Sequence, residues 1–184
     1  LDLNSSGIGN TALGYQTLDA VTTANYNTAV GYTAASATTG ESNDAFGSAA
    51  LVANTTGTHN VAIGRDSMGA NVSGTYNTAV GHGALYTDTD GDFNTAVGAL
   101  SLWTMESDAT GQDVYNTAVG YKSGYALTSG INNTFVGGLA GGTGTVTGDD
   151  NVGVGFQALK ANTGGAKNTG VGKDALAGNL TGNN

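Results

Sequence analysis

The sequence predicts an all-β fold: a parallel β-solenoid, or β-roll, of about ten coils of roughly 17 residues, filling residues 1–184 as a single repeat domain. Three observations predict it. The heptapeptide YNTAVGY stands at residues 26–32 and again at 115–121, and its core NTAVG recurs at 27, 77, 94 and 116. An Asn opens every unit, at positions 10, 27, 43, 60, 77, 94, 116, 133, 151 and 168, at spacings of 17, 16, 17, 17, 17, 22, 17, 18 and 17. The composition is Gly-rich and poor in charge, with 32 Gly, no Pro and 10% charged residues, whereas disordered chains are usually rich in charge and proline.

Each position of the unit then has a column to fill. Asn at position one, as in Asn27, Asn60, Asn77, Asn94 and Asn116, is expected to ladder amide to amide along the rod. Position two is Thr in seven units, and position three is Ala in seven, Gly153 and Gly170 being two of the exceptions. Position four is always apolar and is expected to point inward, which puts the Ala stripe on the outside as a close-approach surface for another chain. Position five is Gly throughout, as in Gly31, Gly64, Gly81, Gly98 and Gly120, for a positive φ or for the approach of a neighbouring backbone. Position eight is small, position nine is most often Leu, and a second Gly recurs near position fifteen. The two glycines divide the unit into two expected strands of about five residues with two turns.

Charge and motif content narrow the function. A net charge of −9 with five Lys+Arg opposes binding to nucleic acid or to anionic membrane surfaces, which need clustered cations. No apolar run is long enough to span a bilayer, and residues 1–9 do not read as a signal peptide. The absence of Cys removes disulfides, thiolate metal sites and Cys nucleophiles. No catalytic set, metal site or cofactor motif stands out. The G-x-G-x-x-A pattern at Gly153, Gly155 and Ala158 falls on repeat positions three, five and eight, with no surrounding βαβ unit. His59 and His82 have no second His or Asp at catalytic spacing, and Asp88, Asp90 and Asp92 start like a calcium loop without its later Gly and Glu. Sequons at Asn4, Asn54, Asn71, Asn132 and Asn179 arise readily in an Asn/Thr-rich repeat.

Two features are candidate binding surfaces. Aromatic residues recur at position seventeen, including Tyr26, Tyr76, Phe93 and Tyr115, where exposed rings would stack on sugars or on one another. The 22-residue unit from Asn94 to Tyr115 holds Leu102, Trp103 and Met105, assigned here to a five-residue insertion that would form a binding loop.

The segment NVAIG at Asn60–Gly64 resembles the SVAIG repeat in the head domains of YadA-like trimeric autotransporter adhesins. The unit NTAVGYxAL followed by TTG is similar to repeats of phage tail fibres and bacterial surface fibres. That resemblance implies a left-handed roll, three chains wound side by side as a homotrimer, and a place outside the cell, on a cell surface or virion. The expected function is a non-enzymatic structural or adhesive fibre segment for host or surface attachment. Its expected partners are itself and a host surface glycan or protein, with no nucleic acid, membrane insertion or cofactor. A self-assembling extracellular filament is the alternative, since Leu1–Gly9 reads as a partial coil and Asn184 falls where another unit would start. An ice-binding solenoid ranks lowest, because the position-two Thr column shares the side expected to face inward.

Overall fold

The computed structural model describes residues 1, 3–107, 112–142 and 146–183. Ten strands of three residues each follow one another: β1 Thr11–Leu13, β2 Thr28–Val30, β3 Asp44–Phe46, β4 Val61–Ile63, β5 Thr78–Val80, β6 Thr95–Val97, β7 Thr117–Val119, β8 Thr134–Val136, β9 Val152–Val154 and β10 Thr169–Val171. They form one parallel sheet in chain order, β1 to β10, with identical repeat positions paired in register, as Thr78 with Thr95 and Val80 with Val97. The chain is a parallel β-solenoid whose coils begin at the Asn positions read from the sequence.

Each coil has one strand of three residues, where two of about five were expected. The rest of the coil turns instead, because positions seven, nine and seventeen all take left-handed backbone, as at Asp66 (φ 57), Met68 (φ 51) and Tyr76 (φ 57). Non-glycine residues adopt that region at a cost of about 1–2 kcal/mol each. Here it aims successive N–H groups along the rod. The Gly83 N–H donates back to the Arg65 carbonyl at 2.9 Å, while the Leu85 N–H donates forward to the Ser101 carbonyl at 2.9 Å. Coils are thus zipped to both neighbours around their circumference as well as at the strand.

The facing of the strand is the reverse of the sequence expectation. The position-three alanines Ala29, Ala45, Ala62, Ala79, Ala96 and Ala118 are fully buried, whereas position four faces out, with Leu13 67%, Ile63 41% and Val171 69% exposed. Coil width explains the reversal. Inside, the strand lies opposite Leu51, Met68, Leu85, Leu102 and Leu159 of position nine, all buried, so little more than a methyl group fits at position three. The one large residue there, Phe135, needs glycines around it: a Cβ at Gly141 would lie 2.7 Å from its ring, one at Gly153 3.1 Å and one at Gly124 3.3 Å. Gly124 and Gly141 stand at position nine, where most other coils carry Leu.

The position-five glycine is needed on both grounds the sequence suggested. Gly81 has φ 138, and a Cβ there would meet the Gly98 backbone at 2.6 Å. Stacked coils therefore touch backbone to backbone along this column.

Candidate functional site

The Asn column is buried and continuous. Each Asn Oδ1 accepts the backbone N–H of the Asn in the next coil, at 2.8–3.1 Å, through nine successive pairs from Asn10 to Asn168. The Nδ2 of Asn27, Asn43, Asn60, Asn77, Asn116, Asn133 and Asn151 instead spans its own coil to the second-turn Gly carbonyl, at 2.7–3.0 Å. The ladder is thus mainly amide to backbone. Direct amide–amide rungs occur only at Asn27–Asn43, Asn133–Asn151 and Asn151–Asn168 among the described pairs. Asn suits the column because one side chain must donate and accept at once.

A second interior column was not read from the sequence. It runs through position twelve as Val21, Thr38, Asn54, Asn71, Asp88, Met105, Leu127 and Asn162, joined by Val146, position fourteen of the 18-residue coil, which bridges to Leu127; all are buried. The mixture of Asn with apolar residues hid it, although the N-x-x-G spacing at Asn54–Gly57, Asn71–Gly74 and Asn162–Gly165 was a usable signal. These amides donate to the Gly carbonyl three residues on, at 3.1, 3.3 and 2.9 Å. Burial also removes Asn54 and Asn71 from the accessible sequons.

Asp88 is the one carboxylate in that column. Its Oδ2 accepts from Asn94 Nδ2 at 3.1 Å and its Oδ1 from the N–H groups of Gly91 at 3.2 Å and Ser107 at 3.4 Å. Burial pushes its pKa up to about 6, with repulsion from Asp90 adding to the rise and the backbone donors opposing it. Asp92 turns away to accept from the Thr75 N–H and hydroxyl, at 2.6 and 2.9 Å. Among the described residues no three His, Asp or Glu side chains converge as a metal set would.

The aromatic columns form stacks. His59, Tyr76, Phe93 and Tyr115 pile ring on ring, with centroids 4.7, 5.3 and 5.0 Å apart and planes within 4–16° of parallel. Tyr15 and Tyr32 stack likewise at position six. Rings packed face to face present edges and hydroxyls to solvent, so the inner rings Tyr76 and Phe93 offer no face to a sugar, whereas Tyr115, at the end of the stack, is covered by a ring on one side only. Tyr26 stands apart, exposed, with Ser42 and not an aromatic ring at the end of the following 16-residue coil. The Tyr115 hydroxyl donates to Asp113 at 3.1 Å, which pushes the phenol pKa up.

The irregular coil differs from its sequence reading. Leu102 is an ordinary position-nine residue and Met105 an ordinary position-twelve residue, both fully buried, so neither is offered for binding. Trp103 belongs to position ten and stacks on Tyr86 at 4.5 Å with planes 9° apart. The excess length lies after Met105, at residues 106–114, of which 108–111 are outside the described residues.

The motifs that imitate other functions are absorbed by the solenoid. Gly153 lies against Phe135, Gly155 against the Gly172 backbone, and Ala158 is core. His59 belongs to the aromatic stack, and His82 lies 2.7 Å from Arg65 Nη2 and 3.8 Å from Asp66 in the adjacent coil.

What the strand does place outward is a face of two adjoining columns. Position two supplies Thr11, Thr28, Thr78, Thr95, Thr117, Thr134 and Thr169, and position four supplies ten apolar side chains from Leu13 to Val171. From β5 to β8 the pattern is unbroken Thr-x-Val, and positions two, four and six of those coils hold no Asp, Glu, Lys or Arg, whereas the β8 coil closes on Asp149 and Asp150. No protein-family model, curated protein or solved structure matches this chain.

Proposed function

We propose that this chain is a non-enzymatic, adhesive segment of a surface fibre, a stiff rod that attaches through the face built by positions two and four. The observation that supports this reading is the outward apolar column of ten side chains, partly exposed and bordered by threonines. A contiguous apolar strip rimmed by polar groups marks an interaction surface, and scattered surface apolar residues do not produce one. The resemblance of its repeats to those of adhesins and tail fibres supports a position outside a cell or on a virion, facing a host or other surface.

A second reading has the same face binding copies of the chain side by side, as in a homotrimer. The partly exposed apolar column favours it, and it replaces the Ala stripe as the contact, since those alanines are interior. Sedimentation and adsorption to the native host surface test both readings together. Val80→Arg with Val97→Arg should leave a folded rod that no longer adsorbs or, under the second reading, no longer associates. A wild-type chain that is monomeric and adsorbs no better than this variant would refute the proposal.

A further inference from the structure

We infer that the Thr-x-Val face of β5 to β8 binds ordered water, and that ice is the solid on which it adsorbs. The inference rests on the adhesive reading and names the ligand of that face. Its basis is the outward facing of the strand, which places hydroxyl and branched apolar columns side by side on the surface.

Three features of the face carry it. Thr78, Thr95, Thr117 and Thr134 pair in register from coil to coil, so their side chains repeat at the strand spacing of about 4.8 Å, comparable to the oxygen repeats of ice. Their hydroxyls make no hydrogen bond to other described residues. Threonines on the opposite turn, by contrast, use theirs within the rod, as Thr55 does to the Val72 carbonyl at 3.1 Å and Thr163 to the Leu180 carbonyl at 2.9 Å. The strand-face hydroxyls are therefore directed to solvent. Charge complementarity is the third feature: ice is a neutral solid, and this face is free of Asp, Glu, Lys and Arg on a chain of net charge −9.

The same features weigh against a second copy as occupant. A copy seated on the face would desolvate a row of hydroxyls beside Val methyl groups, and unpaired buried hydroxyls oppose association. Along the full column it would also cover Asp44 of position two. Ordered water satisfies both columns, with hydroxyls inside its hydrogen-bond network and methyl groups in its voids.

The test is partitioning of the purified chain into slowly growing ice, with thermal hysteresis measured on the same sample. Thr95→Tyr with Thr117→Tyr makes the face uneven, and Thr56→Tyr, at an exposed position on the second turn, is the control. Circular dichroism checks that each variant is folded. The expected result is incorporation of wild type and Thr56→Tyr into ice, with the double variant excluded to the level of an unrelated soluble protein. Exclusion of the wild type overturns the inference. If that excluded wild type still adsorbs to its host surface, the adhesive reading stands without ice as its ligand. If it sediments as a dimer or trimer that the double variant dissociates, the face is a contact between copies.

Discussion

Asn77 accepts the backbone N–H of Asn94 through its Oδ1 at 2.8 Å while its Nδ2 reaches the Gly91 carbonyl at 2.7 Å. One planar amide thus closes its own coil and fastens the next. A carboxylate can do only the accepting half, and would set its second oxygen against a carbonyl.

Asn77→Asp should therefore destabilise the rod. The loss is about 1–3 kcal/mol from the unsatisfied carbonyl, and it grows as the acid ionises. Its buried carboxyl has a raised folded-state pKa, so whatever stability the variant retains is fullest in acid and falls as pH rises. Unfolding midpoints of variant and wild type at acidic and neutral pH check this, and parallel midpoints would contradict it.

Asp88 is the natural counterpart of that change. Its pKa rises from 3.8 to about 6 in the fold, so its contribution is fully present below about pH 4 and is lost as pH climbs through 6. Asp88→Asn removes the buried charge but turns an amide N–H toward a group that donates to the carboxylate, Asn94 Nδ2 or the Gly91 and Ser107 N–H groups, so its gain in neutral-pH stability should stay below the roughly 3 kcal/mol that the shift implies at about 1.36 kcal/mol per unit. The same variant should flatten the dependence of the melting temperature between pH 4 and 7.

Phe135 and Gly141 form a compensated pair, since a Cβ at Gly141 would lie 2.7 Å from the Phe135 ring. Phe135→Ala should cost about 3–5 kcal/mol by leaving a cavity bounded by glycines. Gly141→Leu alone should clash, although its φ of 58 resembles that of the position-nine leucines. Together the two changes recreate the common Ala/Leu arrangement, and a double-mutant cycle in denaturant should show strong favourable coupling.

Ala79→Arg with Ala96→Arg should prevent folding, because both methyl groups are interior, whereas Val80→Arg with Val97→Arg should be tolerated in the fold. Comparing their circular dichroism checks the facing of the strand directly. A folded Ala79/Ala96 variant would reverse the assignment.

Much of the architecture was legible because repetition is itself a structural statement: the Asn and Gly columns could be aligned before any geometry was known. Facing was not. In Thr-Ala-Val the larger apolar residue suggests the core, yet inward direction is set by the space a narrow coil leaves opposite Leu85 and Leu102. Alternation groups positions two and four together without saying which group faces in. The aromatic spacing was equally visible at Tyr76 and Phe93, but whether rings offer faces or edges depends on χ angles that sequence does not encode. Leu102 and Met105 were misplaced for a related reason. The excess residues in the 22-residue coil can be set at several points until the position-nine and position-twelve columns are identified.

The hydrogen bonds that join successive coils lie along the rod, and this sets how it yields to force. Tension applied at its two ends falls on the bonds of the outermost coil, which open before those behind them carry a greater share. The rod would then unravel one turn at a time. Each released turn of 17 residues supplies about 60 Å of slack at full extension. A tether built this way lengthens under a pull in discrete steps, and the turns still wound remain intact while it does so.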